Sequence, residues 1–212
     1  VAIYFQTFWQ ALIGLPRSAD ARRFALGLVL ALLPSVVAGL LLKKFLDEVL
    51  LNPAIAMPFI AVSWFLGGVI ILLFERIAPV PRWFAGDKLP LSKAFQIGCC
   101  QILSIVPGVS RSGATILGGE LLGVDRRAAT LFTFYLAVPT MTGATILELH
   151  HKASALSGQG FANIAVGFVV SFLVAFVVIR AFLGIVTRYG LKPFGWYRLG
   201  AGLALGAYIL AG

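Results

Sequence analysis

Pro107-Gly108-Val109-Ser110-Arg111-Ser112-Gly113-Ala114-Thr115 is a polar, glycine-bearing run between two apolar ones, Leu91 to Val106 before it and Gly113 to Leu122 after it. Both flanks read as helices, of about 24 Å and about 15 Å at 1.5 Å per residue, against a hydrocarbon core about 30 Å thick. Neither spans a bilayer alone. A helix that descends, breaks near the midplane and climbs back fits both lengths and carries Arg111 to depth. Irregular backbone is tolerated there only where protein buries it or it lines a water-filled cavity. An arginine near the bilayer centre costs about 2.5–3.5 kcal/mol on insertion scales, so it needs a partner or a task.

The residue types suggest the task. Pro107 removes a donor and ends the first half-helix, and Gly108 permits the tight turn after it. Ser112 or Ser110 is placed to N-cap the second half-helix, whose unpaired N–H groups and positive dipole end face the loop. Such a terminus binds anions. Arg111 adds a planar fork of donors that fits two phosphate oxygens at once. The plainer alternative is a helix break whose serines only cap it and whose arginine pairs with a carboxylate or a carbonyl.

Sixty per cent of the 212 residues are apolar and 12% charged, and the mean hydropathy is +0.98. A soluble domain carries about twice that charged fraction, so the class is an all-α polytopic membrane protein. The net charge of +9 then reads as basic loops at a cytoplasmic face, with no nucleic-acid partner. Cys99 and Cys100 are adjacent in an apolar helix and imply neither a disulfide framework nor a metal site. The chain opens on Val1 with no methionine and no signal-peptide pattern, as a fragment would.

Working outward, Val1 to Ile13 is apolar but covers only about 20 Å, the second half of a span. A helix follows from about Arg23 to Leu42 with Pro34 inside it, then a polar connection from Lys43 to Asn52. Pro53 opens a third helix ending near Phe74. Residues 1–75 are thus three spans, the first truncated, and 76–90 form a charged, proline-bearing cytoplasmic connection. Residues 91–212 hold the re-entrant pair (91–122) and three more spans: about Arg126 to Leu149, Phe161 to Val186 and Pro193 to Leu210. Asp125 caps the first of these. Glu148 to Gly160 reads as a polar loop. About six transmembrane helices result.

The distribution of Lys and Arg tests the re-entrant reading, because a full crossing would invert everything after it. Arg111 and Arg198 lie within membrane segments. If 91–122 returns to its own side, the remaining basic residues divide 12 to 3; if it crosses, they divide 8 to 7. Re-entry gives the asymmetry and makes the richer side cytoplasmic. Three spans is an odd number, so two like units in tandem sit inverted, an arrangement that builds binding sites where broken helices meet. A matching re-entrant pair is then expected before Val1.

Other polar residues are weaker candidates. Arg198, early in the last helix, either reaches the site as a second cation or snorkels to the interface. His150 and His151 read as surface residues at a helix end. Ser104 and Thr115 are site hydroxyls or packing residues. Of the eight carboxylates all but Glu120 fall in loops or at helix ends, and Glu120 lies about 12 Å along the axis from Ser112. No carboxylate pair or histidine stands beside Arg111 to serve as a base or hold a metal.

The run Pro107 to Ile116, with Gly118-Gly119, Leu122-Gly123, Leu136-Ala137-Val138-Pro139, Pro193-Phe194 and Tyr197-Arg198, resembles the bacterial undecaprenyl-pyrophosphate phosphatase family, also called bacitracin-resistance proteins. The resemblance implies two inverted units, each a re-entrant pair plus three spans. It implies a multi-pass enzyme of the bacterial inner membrane that cleaves undecaprenyl pyrophosphate to undecaprenyl phosphate and inorganic phosphate. That reaction recycles the cell-wall lipid carrier and gives bacitracin resistance. Arg111 and Ser110 would be catalytic, with Ser112, Gly113, Thr115 and Arg198 binding substrate. The family's glutamate-rich segment and its Ser-Ser/Thr-Gly-His run have no counterpart here. A divalent cation, Mg²⁺ or Ca²⁺, would find its ligands there, so the 212-residue chain alone is expected to be inactive. The implied partners are the prenyl lipid, the bilayer and, as a further candidate, a second copy of the chain. The alternatives are an inverted-repeat transporter or lipid flippase without hydrolysis and, less favoured by the arginine loop, a structural scaffold.

Overall fold

In the computed structural model, which describes residues 2–46, 48, 52–152 and 158–211, the chain forms eight α-helices and no sheet among the described residues. They are α1 (Phe5–Gly14), α2 (Ala19–Phe45), α3 (Pro53–Ile77), α4 (Leu91–Gln101), α5 (Arg111–Leu121), α6 (Arg126–Lys152), α7 (Gly158–Tyr189) and α8 (Lys192–Ala211). The starts follow local chemistry. Ser18 Oγ accepts from the Ala21 N–H at 3.3 Å, and Pro53, which has no donor to waste, takes the first position of α3. Asp125 Oδ2 accepts from the N–H groups of Arg127 (3.0 Å) and Ala128 (3.3 Å) and so caps α6.

Four helices are long and apolar enough to cross a membrane: Ala19–Leu42, Ile55–Ile77, Arg126–His150 and Gly160–Tyr189. The other two expected spans correspond to α1, of 10 residues, and α8, of 20, whose apolar run is interrupted by Arg198; neither is among those four. The surface is what lipid requires: Leu41 is 79% exposed, Phe168 72% and Leu210 90%. The protein is an all-α membrane protein.

Four boundaries differ from the sequence reading. The first half-helix is shorter, because α4 gives way after Gln101 to a 3₁₀ turn, Ile102–Ile105. The second begins at Arg111, which is therefore its first residue and not a loop residue. The expected loop from Glu148 to Gly160 is helical at both ends, through Lys152 in α6 and from Gly158 in α7, while residues 153–157 lie outside the described ones. Glu148 to Lys152 is polar but has no Gly or Pro to stop a helix. The polar connection from Lys43 is helical to Phe45, and residues 47 and 49–51 also lie outside.

Packing centres on the broken pair. Ile97 of α4, Ile116 of α5 and Phe132 and Leu136 of α6 are nearly or wholly buried in one cluster with Phe24, Leu28 and Ala31 of α2. A Cβ on Gly98 would strike the backbone of Ala31, so only glycine lets α4 lie this close to α2. The most extensive pairing joins α3 to α8. There a Cβ on Gly202 would sit 2.6 Å from the Phe65 nitrogen, the close approach of backbones that membrane helices favour.

The connection between α3 and α4 is stitched to the turn that follows α5. The N–H groups of Arg82 and Trp83 donate to the Gly123 carbonyl at 2.7 and 3.1 Å, and the Asp125 N–H donates to the Trp83 carbonyl at 2.7 Å. The chain thus enters and leaves the broken pair at the same end.

Candidate active site

The loop between the half-helices is built by four local events. The 3₁₀ turn ends at Val106, whose backbone becomes extended. Gly108 takes φ +84°, a left-handed conformation that a side chain resists, and a Cβ there would also meet Ser63 and Ile60 of α3. Ser110 then turns extended, and its Oγ accepts the Gly113 N–H at 3.1 Å. Of the two candidate caps, Ser110 is the one used. The first N–H groups of α5 have no intrahelical acceptor and open onto this loop.

Ser110 Oγ and Ser112 Oγ are 3.1 Å apart and share one hydrogen bond. Only one of their two protons is engaged by it, which leaves the other hydroxyl free to donate to a ligand. Arg111 carries the site's charge. It forms no ion pair among the described residues, and its Nη1 is buried without a hydrogen-bond partner. Leaving a buried, charged donor unmet is costly, more than the roughly 1–3 kcal/mol of a neutral group. The carboxylate or carbonyl that the plainer reading supplies for Nη1 is not there among the described residues.

Thr115 and Arg198 support the loop from behind. Thr115 is fully buried. Its hydroxyl lies 3.0 Å from the Arg111 carbonyl and 3.2 Å from that of Ser112, and accepts from Thr133 of α6 at 2.8 Å. That hydroxyl joins α5 to α6. Arg198 does reach the site, and does not snorkel: Nη2 donates to the Gly108 carbonyl at 2.8 Å and to that of Ser63 at 3.2 Å. It therefore grips the turn that precedes the cap.

Two features are not apparent from the sequence. Arg126 binds Glu120 through Nε (2.8 Å) and Nη2 (3.1 Å), and Nη2 also lies 3.0 Å from Glu75. Glu75 Oε1 in turn accepts the Leu191 N–H at 2.6 Å. The node ties together the ends of α3, α5, α6 and the α7–α8 turn, and both carboxylates are nearly buried. Glu120, the acid that the sequence sets away from loops and helix ends, is thus a structural partner. The second feature is Gln101, buried at the end of α4, whose Nε2 donates to Ser35 of α2 at 2.7 Å. Its signal was faint: a polar residue inside an apolar helix.

The loop offers guanidinium, hydroxyl and amide donors. A divalent cation asks for carboxylate and carbonyl oxygens, and no group of three His, Cys, Asp or Glu residues suited to a metal exists among the described residues. These side chains do not fit a cation; they fit an anion.

Comparison with known proteins agrees. The family model described as bacitracin resistance protein BacA matches residues 1–204. An undecaprenyl-diphosphatase of Paracoccus denitrificans is 41% identical over 212 residues, which cover all of this chain and 78% of that protein. One from Novosphingobium aromaticivorans is 46% identical over 214 residues, 97% of this chain and 77% of its own length. A third, from Caulobacter sp. strain K31, is 43% identical over 203 residues, 96% of this chain and 75% of its own. Matches of this extent place the chain by descent: it belongs to the bacitracin resistance protein family.

Proposed function

We infer that the chain acts as an undecaprenyl-diphosphatase, hydrolysing undecaprenyl pyrophosphate to undecaprenyl phosphate and inorganic phosphate. The observation that carries the site assignment is the buried, unpartnered Nη1 of Arg111 at the head of a half-helix. Family membership supplies the reaction. Water attacks the terminal phosphorus, the bond from that phosphorus to the bridging oxygen breaks, and the bridging oxygen leaves on the prenyl phosphate. The water proton passes to the solvent.

In that reaction Arg111 holds two oxygens of the pyrophosphate through its planar fork and offsets charge that builds as the bond breaks. The free N–H groups of α5 and the unengaged hydroxyl of the Ser110–Ser112 pair complete the oxyanion contacts. Thr115 positions the loop, while Arg198 holds its turn through Nη2 and, with Nε buried without a partner as well, offers the substrate a second cation. Gly113 keeps the first turn of α5 open, since a Cβ there would already lie 3.2 Å from that of Ser110. The basic excess supports a cytoplasmic side for the connection at 76–90, with 91–122 re-entering from that side, and membership of the family supports a bacterial inner membrane.

Phosphate release from undecaprenyl pyrophosphate in lipid nanodiscs, by protein that includes the expected metal-binding segment, tests the reading. Arg111→Lys keeps the charge and loses the fork, and Arg111→Ala loses both. Each is expected to lower kcat/KM, Ala by about 10²–10³-fold, the scale of one strong electrostatic stabiliser, while purified yield stays near wild type. A folded Arg111→Ala protein with near-normal kinetics would end the phosphate-clamp reading. Lipid movement across the bilayer without phosphate release would return the transporter alternative.

A further inference from the structure

Away from the arginine loop, the stitched connection forms a second built feature. A groove of about 570 Å³ lies where the α3–α4 connection crosses the ends of the broken pair, lined by Pro79, Val80, Arg82, Trp83, Lys93 and Leu121. Its chemistry is graded. Arg82 and Lys93 supply two cations, and neither has an ion-pair partner among the described residues. The nearby acids are otherwise engaged: Glu120 is bound to Arg126 and Asp125 caps α6. Beside the cations stand apolar side chains that water would not cover, Val80 at 84% exposed and Leu121 at 61%. Trp83, 38% exposed, has the amphipathic ring that settles at headgroup depth.

We propose that this groove binds the headgroup of an anionic glycerophospholipid of the cytoplasmic leaflet. Arg82 and Lys93 take the phosphate, Trp83 lies at the glycerol level, and the first methylenes of one acyl chain run over Leu121 and Val80. Charge complementarity names the class. A zwitterionic lipid brings its own cation against two unpaired ones, and a soluble phosphate leaves the exposed apolar flank in water. Basic pockets between membrane helices on the cytoplasmic side hold anionic headgroups in this manner. The cradle is preorganised, because the three backbone hydrogen bonds between 82–83 and 123–125 fix Arg82 and Trp83 relative to Leu121 before any lipid arrives. The assignment is independent of the hydrolytic reading and goes beyond it.

The test uses the protein with Trp9, Trp64 and Trp196 replaced by Phe, reconstituted with phospholipids brominated near the top of the acyl chain. Trp83 fluorescence should be quenched by brominated phosphatidylglycerol in preference to brominated phosphatidylcholine, with relative affinity on the order of tenfold for two basic contacts. Arg82→Ala/Lys93→Ala should erase the preference, and Arg82→Lys/Lys93→Arg should keep it, which separates lost binding from lost fold. Equal quenching by the two lipids would overturn the proposal, as would a preference that survives the alanine pair. A preference abolished by farnesyl phosphate would also overturn it, by showing that the groove takes prenyl phosphates instead.

Discussion

At the scale of single residues, the site divides into groups that face a ligand and groups that hold those groups still. Arg111 and Thr115 lie on adjoining turns of one helix, yet one has an unmet buried donor and the other has none. That contrast predicts unlike mutants. Thr115→Val removes a hydroxyl engaged on both sides within the protein, at a cost of about 1–3 kcal/mol of stability. Its KM for pyrophosphate lipid should change less than about threefold, because no ligand contact is lost. Thermal unfolding in detergent beside steady-state kinetics checks both halves. A tenfold rise in KM with unchanged stability would put the hydroxyl in the phosphate site after all. The sequence marked all of these residues as a set but could not sort them. Ser110 and Ser112 are both spaced to cap α5, and only the extended backbone of Ser110 decides which does. For Arg198, reaching inward and snorkelling outward are equally compatible with its position. Only the place of the Gly108 carbonyl, set by folding, chooses.

At the scale of elements, the half-helix α5 is defined by its cap at one end and by the Arg126 node at the other. Ser110→Ala should cost about 0.5–2 kcal/mol through the lost cap. Ser110→Asp should keep the cap, as aspartate accepts the Gly113 N–H equally well, but place a negative charge where phosphate must sit. Its KM should rise well beyond that of Ser110→Ala, and equal KM values would remove the N-terminus of α5 from the binding surface. At the other end, Arg126→Ala leaves Glu75 and Glu120 nearly buried without their cation. Removing one partner of such a cluster costs about 3–5 kcal/mol, so the melting temperature should fall far more than in Glu120→Gln, which keeps hydrogen-bonding capacity at that site. Similar small shifts for both would mean that water already serves the carboxylates. This node is illegible in the sequence, since its acids stand far apart in the chain: Glu75 reads alone as a helix-end charge and Glu120 as a lone acid within a helix. The helical state of Glu148–Lys152 escaped for a different reason. Polarity marks where helices leave the membrane, whereas their ending depends on a stop signal that this stretch lacks.

At the scale of the whole molecule, the four long apolar helices, the broken pair and the connection at 76–90 follow from hydropathy and charge alone, because lipid imposes those patterns on any spanning chain. Pairings between helices do not follow, because glycine contacts such as Gly202 against Phe65 depend on facing geometry. The shared end of the broken pair makes a topological prediction. In a background with Cys99 and Cys100 replaced by alanine, cysteines placed at Lys88 and at Arg127 should both react with an impermeant reagent from the cytoplasmic face. Labelling from opposite faces would mean that 91–122 crosses the bilayer, and the inverted-repeat architecture would fall with re-entry.

The grip of Arg198 on the loop has a consequence for the history of the sequence. A Cβ on Gly67 would come within 2.6 Å of Arg198 Nη2 and 2.9 Å of Nε, and that guanidinium is already held by the carbonyls of Ser63 and Gly108. It cannot step aside without releasing the turn. The absence of a side chain at position 67 and the presence of arginine at 198 are therefore sterically coupled. Across the family they should change together: lineages that gain a side chain at 67 should have lost arginine at 198.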